Sequence, residues 1–165
     1  MNDKQKKWAQ RWVAMADLVA SWSSDPSTKC GAVIVDDDSN TVLATGYNDL
    51  PRGVEDTEDK WVRPPEGDKY EWVEHGERNA IYNAARQGVS VKGATMYLNY
   101  AVECCTACSR AIIQAGINRV VGPEHRPFPG QGKGKHYDTL SVGEELRLGY
   151  DVEHVEMEND YEWRS

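Results

Sequence analysis

The order of short apolar strands and helical segments limits the folds open to this chain of 165 residues. Two strands, Gly31–Asp36 and Thr41–Gly46, flank four residues with turn chemistry and predict a hairpin. Helices and strands then alternate over Glu74–Gln87, Gly93–Asn99, Cys104–Gly116, Ile117–Gly122, Leu140–Leu148 and Asp151–Val155. A hairpin followed by βαβ crossovers predicts an α/β fold, a three-layer αβα sandwich around a central mixed five-stranded sheet. We expect residues 1–165 to form a single domain.

A first helix is predicted before the hairpin. Its apolar residues step by four, three, four and three positions, which lines one helical face: Trp8, Trp12, Met15, Val19 and Trp22. We interpret this face as a core-facing stripe. The helix is expected to end near Ser23–Pro26, because proline disfavours a helical residue before it. The segment from Tyr47 to Tyr70 lacks periodicity and is predicted to be a long loop.

Charge and hydropathy narrow the class of partner. The formal net charge of −8, from 19 Lys and Arg against 27 Asp and Glu, disfavours binding to long nucleic acids. A small nucleotide stays possible, since one phosphate needs only a few donors in one pocket. No apolar stretch is long enough for a bilayer and no secretory leader is evident, so we expect no membrane partner and a cytoplasmic protein. In a reducing compartment the four cysteines are thiols or metal ligands.

Two short clusters carry the chemistry. His75-Gly76-Glu77 and Cys105-Thr-Ala-Cys108 both lie where helices are predicted to begin. One imidazole and two thiolates suit zinc, and three protein ligands leave the fourth position for water, as in catalytic sites. Zinc acidifies its bound water, and Glu77, two residues from His75, can move the proton. An H-x-E cluster followed by P-C-x-x-C is the signature of zinc deaminases, and this chain matches it except at the proline.

Four stretches together extend this pattern over most of the chain. They are Asp25–Val35, the turn Gly46-Tyr47-Asn48 with Pro51 and Gly53, His75–Ile81, and Cys105–Ile117. With these stretches the chain resembles the cytidine deaminase superfamily, and within it the dCMP deaminases, from Asp25 to Gly122.

The resemblance implies a zinc ion held by His75, Cys105 and Cys108, with Glu77 as the catalytic proton carrier. It also implies that Asn48 contacts the sugar or the base of the substrate. The expected reaction is hydrolysis of dCMP to dUMP and ammonia, which supplies dUMP for thymidylate synthesis. The resemblance further implies a homohexamer that dCTP activates and dTTP inhibits, with magnesium alongside the triphosphate effector.

The chain departs from the family pattern at three places. Gly76 stands where the family usually has alanine, and Cys104 stands where proline usually precedes the first zinc cysteine. The stretch from Tyr97 to Cys105 is slightly longer than usual. Cys104 and Cys108 could be proposed as the ligand pair, but the match up to Ile117 fixes Cys108, and a step of three residues then gives Cys105. Cys30 is interpreted as a small buried strand residue.

Several assignments stay open at the level of sequence. The candidate phosphate donors are Ser24, Ser27, Lys29, Arg52 and Arg110. The segment Gly130–Lys135 is interpreted as a lid or interface loop, because it lacks the ending of a phosphate loop. Alternative functions are a zinc deaminase for another cytosine compound or for tRNA adenosine, a non-enzymatic zinc-containing nucleotide-binding module, and a redox protein that uses the Cys-x-x-Cys pair.

Overall fold

Five strands form one sheet in the computed structural model, which describes residues 1–102, 104–126 and 145–157. They are β1 (Gly31–Asp36), β2 (Thr41–Tyr47), β3 (Thr95–Leu98), β4 (Arg119–Pro123) and β5 (Asp151–Val155). The spatial order is β2-β1-β3-β4-β5, and β1 pairs antiparallel with both β2 and β3. The pairs β3–β4 and β4–β5 are parallel, so the sheet is mixed as the sequence predicts.

Helices cover both faces of this sheet. The helices within the described residues are α1 (Asp3–Ala20), α2 (Lys69–Trp72), α3 (Gly76–Gln87) and α4 (Thr106–Ala115), and 3₁₀ turns lie at Glu58–Trp61 and Arg147–Gly149. Helices α3 and α4 each end in a left-handed glycine, Gly88 with φ 68° and Gly116 with φ 76°. Helix α1 packs on one face of the sheet, whereas α3 and α4 pack on the other. The predicted three-layer αβα sandwich is confirmed.

The predicted core stripe of α1 is partly wrong. Trp22 is 52% exposed, and the buried face of α1 consists of smaller residues: Ala9, Val13, Ala16, Val19 and Ala20. The physical reason is volume, because the helix lies so close to β1 that a Cβ on Gly31 would be 2.2 Å from the carbonyl oxygen of Ala16. The large rings lie at the margin of the interface, where Trp8 stacks on Trp12 with centroids 5.3 Å apart.

The ends of the predicted helices differ from the observed ends. Helix α3 begins at Gly76 rather than Glu74, and α4 begins at Thr106 rather than Cys104, because His75 and Cys105 are the N-caps. In α3, Ala80 and Ala84 are buried and Ala85 is exposed. In α4, Ile112 is buried, whereas Ala111 and Ala115 are half-buried and Cys108 and Ser109 take the buried face.

The predicted loop from Tyr47 to Tyr70 contains local structure. It includes the 3₁₀ turn Glu58–Trp61 and the beginning of α2, and Asp49 forms an isolated bridge with Glu74. The segment Gly130–Lys135 lies outside the described residues, as does the first part of Leu140–Leu148. Within the described part of the chain, no helix combines the length and the hydrophobicity that crossing a bilayer requires.

Candidate active site

The N-termini of α3 and α4 meet on one side of the sheet. His75 is the N-cap of α3 and Cys105 is the N-cap of α4, each with extended backbone angles. The thiol of Cys105 accepts a hydrogen bond from the backbone N–H of Cys108, 3.5 Å away. This N-cap bond places the sulfur of Cys108 one helical turn from that of Cys105. The structure therefore brings His75, Cys105 and Cys108 together, with their ligand atoms within 4.8 Å of one another.

The separations within this triad suit a tetrahedral zinc ion. The Nδ1 atom of His75 lies 3.6 Å from Sγ of Cys105 and 3.5 Å from Sγ of Cys108. Zinc bonds of about 2.0–2.1 Å to nitrogen and about 2.3 Å to sulfur, at tetrahedral angles, separate the two ligand atoms by about 3.6 Å. The donor set leaves one tetrahedral position for water, which is the arrangement of catalytic zinc.

The two thiols have opposite electrostatic environments. Hydrogen bonds from Cys108 and His75 lower the pKa of Cys105 to about 3, although burial opposes this shift. Burial, the hydrogen bond to Cys105 and the charge of Glu77 raise the pKa of Cys108 well above its ordinary value. One thiolate is therefore favoured in the protein alone, and the second requires a cation to offset the negative charge.

Glu77 lies in the first turn of α3 with 2% of its surface exposed. The positive end of the helix dipole favours a carboxylate there. Its charge also acts on the triad. Burial lowers the pKa of His75, but the hydrogen bond to Cys105 and the charges of Glu77 and Cys105 outweigh burial and raise it. A buried carboxylate thus accompanies the three potential ligands.

Asn48 follows β2 and is 5% exposed. Its Oδ1 accepts a hydrogen bond from the backbone N–H of Cys30, at 2.7 Å. Its Nδ2 donates to Oδ2 of Asp25 at 3.0 Å and to the carbonyl oxygen of Thr28 at 2.8 Å. The amide therefore joins the segment before β1 to the end of β2.

Backbone contacts connect Asn48 to the N-terminus of α3. The neighbouring Asp49 exchanges two backbone hydrogen bonds with Glu74, at 3.1 and 2.9 Å, directly before His75. The carbonyl oxygen of Cys30 approaches Gly76, where an added Cβ would lie 2.9 Å from it. Asn48 therefore lies on the side of the sheet that carries the triad.

The structure places the sequence candidates for phosphate binding in different surroundings. Ser27 and Lys29 lie on the segment that contacts Asn48, where Lys29 donates to the carbonyl oxygen of Ser23. Arg52 instead donates to Asn83 at the surface, and Arg110 is exposed on α4. Ser24 is exposed, and its backbone N–H donates to Oδ2 of Asp49 at 3.4 Å.

Three further residues of this region were not predicted from the sequence to belong to the site. Lys69 and Asp25 form a buried ion pair, with Nζ 2.6 Å from Oδ2. Arg63 donates to Thr28 Oγ1 at 2.6 Å, and its Nε is buried without a hydrogen-bond partner in the described structure. Asp25 begins one of the stretches that resemble the family, and this position was a sequence signal that it could belong to the site. Lys69 and Arg63 offered none, because charged residues in an aperiodic segment are usually exposed.

Comparison with known proteins agrees with this geometry. Residues 6–122 match the family described as the cytidine and deoxycytidylate deaminase zinc-binding region. An uncharacterised deaminase of Aliivibrio fischeri, named for the luxG 3′ region, is 41% identical over 118 residues, which are 72% of this chain and 74% of that protein. Deoxycytidylate deaminase of Mus musculus is 39% identical over 123 residues. That match covers 73% of this chain but 66% of the mouse protein, slightly under two thirds of its length.

A solved structure extends the likeness to nearly the whole fold. The dCMP deaminase of cyanophage S-TIM5, in complex with dCMP and dUMP, superposes with a TM-score of 0.67 at 25% identity. The superposition covers 94% of this chain and 99% of the phage chain. The chain therefore belongs to the cytidine and deoxycytidylate deaminases, a family of hydrolytic enzymes with a zinc-binding region.

Proposed function

We propose that this protein is a zinc-dependent hydrolase that converts dCMP to dUMP and ammonia. The observation that carries the proposal is the convergence of His75, Cys105 and Cys108 beside the buried Glu77. The mouse deoxycytidylate deaminase and the phage structure with dCMP and dUMP favour deoxycytidylate over other cytosine compounds. The product would supply dUMP for thymidylate synthesis.

In this proposal His75 Nδ1 and the sulfurs of Cys105 and Cys108 hold zinc. Bound zinc would lower the pKa of a coordinated water to about 7 and so provide a nucleophile at neutral pH. The two helix N-termini add positive potential, which stabilises both thiolates.

Glu77 is the proposed proton carrier. Its carboxylate takes a proton from the attacking water and delivers it to N3 of the cytosine ring, which makes C4 more electrophilic. As the C4–N bond breaks, Glu77 passes the second proton of the water to the departing amino group. Water and the amino group thereby become the C4 carbonyl oxygen and ammonia, and Glu77 returns to its ionised form.

Asn48 is the proposed substrate contact. Its Oδ1 accepts one hydrogen bond from the chain and keeps a second lone pair for a donor on the substrate. For the 5′-phosphate we propose Arg63, with Lys29; Ser27 is not included, because its hydroxyl and its backbone N–H both donate to Oδ1 of Asp25. The buried, unpartnered Nε of Arg63 supports this assignment, because an anion would satisfy a donor that the described residues leave unmet.

We further propose, from family likeness, that residues 1–165 form a single deaminase domain and assemble into a homohexamer. In the same proposal dCTP with Mg²⁺ activates the enzyme and dTTP inhibits it. Size-exclusion chromatography with light scattering tests the assembly. Saturation curves for dCMP test the regulation, since an activator should lower the half-saturating concentration and dTTP should raise it.

The substrate proposal is tested by ammonia release from the zinc-loaded protein. The panel contains dCMP, deoxycytidine, cytidine, cytosine and dCTP, with an adenosine-containing tRNA as a further arm, each with and without dCTP and Mg²⁺. Preferential turnover of dCMP would support both the chemistry and the phosphate requirement. Preferential turnover of another member would contradict the substrate, and no turnover by protein that carries zinc would contradict the reaction.

A further inference from the structure

We propose that the buried Asp25–Lys69 ion pair is a positioning device that sets the orientation of the Asn48 amide toward a hydroxyl group of the substrate. The inference rests on the proposed function, because it assigns the amide to a nucleotide sugar. It adds two residues that touch neither the candidate metal ligands nor Glu77 in any described hydrogen bond.

The ion pair is closed to solvent and fully bonded. The side chains of Lys69 and Asp25 are 3% and 1% exposed. Lys69 Nζ lies 2.6 Å from Oδ2 and 2.7 Å from Oδ1 of Asp25, and 2.9 Å from Oγ of Ser27. An ammonium group has three protons, so these contacts use its whole donor capacity. Lys69 is therefore unavailable as a phosphate ligand, and its charge serves Asp25.

Asp25 in turn determines the orientation of the Asn48 side-chain amide. Oδ2 of Asp25 and the carbonyl oxygen of Thr28 are acceptors, and both receive hydrogen bonds from Nδ2 of Asn48. The backbone N–H of Cys30 is a donor and requires an oxygen. A flipped amide would set its oxygen against two acceptors and its NH₂ group against a donor, which loses all three bonds. The carboxylate thus holds the second lone pair of Oδ1 in one direction.

Lys69 places a positive charge directly against the buried carboxylate of Asp25. A buried charged group without such a partner is costly, because it loses its hydration and nothing replaces it. Stability alone is a weak reason for such a pair, since apolar residues of similar volume often replace buried ion pairs without loss. A role in orienting the Asn48 amide explains why this position holds the charged residues Asp25 and Lys69.

Lys69 also connects two separate parts of the chain beside the site. It lies in the short helix α2, at the end of the long segment that begins after β2. Its ammonium group therefore ties the end of that segment to the loop before β1 and to Asn48. The Asp25–Lys69 pair therefore orients the side-chain amide of Asn48 and also holds residues 48–70 beside the site.

A double-mutant cycle between Asp25→Asn and Asn48→Ala tests the inference. The Asp25→Asn substitution keeps the shape of the side chain and removes its charge. We expect it to raise KM for dCMP about tenfold, the value of one hydrogen bond, with kcat changed much less. In the Asn48→Ala background the same change should have almost no further effect on kcat/KM. Val13→Ala, on the opposite face of the sheet, is the matched control for lost stability. It should lower Tm and leave KM unchanged.

Independent effects of the two substitutions would overturn the inference, as would a lower Tm for Asp25→Asn with an unchanged KM. If Asp25→Asn does not accumulate as folded protein, Lys69→Arg takes its place, since arginine keeps the charge and changes the geometry.

NMR of the Asn48 side-chain amide protons gives a readout that needs no turnover. Slow exchange with solvent in the wild type, lost in the Asp25→Asn or Lys69→Arg variant, supports the inference, and fast exchange in the wild type refutes it. Failure of the proposed function would instead appear as a wild-type protein that does not release ammonia from dCMP.

Discussion

The imidazole Nδ1 of His75 lies 3.5 Å from the sulfur of Cys108, although 33 positions separate the two residues in the sequence. The fold produces this contact because α3 and α4 lie on the same face of the sheet and begin at the same edge. Each helix contributes its N-cap to the site. The first N-cap is a histidine and the second is a cysteine, so capping geometry and donor chemistry coincide at one point.

The two adjacent cysteines should differ in their importance for zinc. Cys105→Ala removes a ligand of the proposed site and should abolish stoichiometric zinc, measured by elemental analysis after gel filtration. Cys104→Ala is the matched control, because Cys104 is 1% exposed and packs in the core on the α3 and α4 side of the sheet. It should keep about one zinc per chain. Zinc retained in the Cys105 variant and lost in the Cys104 variant would reverse the assignment.

Thiol alkylation of the metal-free protein should select Cys105. A pKa lowered to about 3 leaves this thiol ionised at any pH well above that value. Burial raises the pKa of Cys30 and Cys108 well above the ordinary value, so both remain protonated at neutral pH. At about pH 6 iodoacetamide should therefore modify Cys105 first, because the thiolate is the nucleophile. Peptide mass spectrometry locates the label.

The pH profile of that labelling gives its control. The rate at Cys105 should change little between about pH 5 and pH 8 and should fall only as the pH approaches 3. An ordinary thiol would instead react faster with each rise in pH over this range. Zinc added before the reagent should protect Cys105. Equal labelling of Cys30 and Cys105 at about pH 6 would contradict the electrostatic description.

Arg63 should determine whether the enzyme distinguishes a nucleotide from a nucleoside. Arg63→Met should lower kcat/KM for dCMP by about tenfold to a hundredfold, the value of a hydrogen bond to a charged group. The same substitution should leave the rate with deoxycytidine nearly unchanged. Arg52→Met is the control, since Arg52 bonds to Asn83 at the surface. Equal losses with both substrates would assign Arg63 to the fold rather than to the phosphate.

Gly46 should be indispensable for the packing of α3 on β2. A Cβ at this position would lie 2.1 Å from the backbone nitrogen of Ala80 and 2.4 Å from the carbonyl oxygen of Gly76. Gly46→Ala should lower the free energy of unfolding by about 3 kcal/mol, near the upper end for overpacking, because backbone atoms cannot rotate aside. Urea denaturation measures the change. Thr45→Ala, one position earlier on the same strand, should cost much less.

The fold could be predicted because its signals are local. The strand pairs are apolar segments bounded by turn residues, and α3 and α4 end at glycines that adopt left-handed angles. The site clusters could be found for a related reason. Each cluster lies at the beginning of one helix, so the spacing of its residues in the sequence is enough to predict that their side chains lie close together.

The remaining features depend on contacts that no local pattern encodes. The packing face of α1 is set by how closely the helix approaches Gly31, which favours alanine over tryptophan. The burial of Lys69 depends on Asp25, 44 positions earlier in the chain. Neither residue lies in a periodic pattern that would predict the ion pair, and lysine is among the residues least often buried.

Turnover of dCMP by zinc-loaded Glu77→Gln shows whether Glu77 moves protons at a zinc site. Glutamine keeps the shape of the side chain and cannot accept a proton from water. Turnover should fall by at least about a hundredfold, the lower end for general acid–base catalysis, while the zinc content stays at the wild-type value. Glu71→Gln, on the exposed surface of α2, should turn over dCMP at the wild-type rate. A Glu77→Gln enzyme that carries zinc and keeps wild-type turnover would contradict the account.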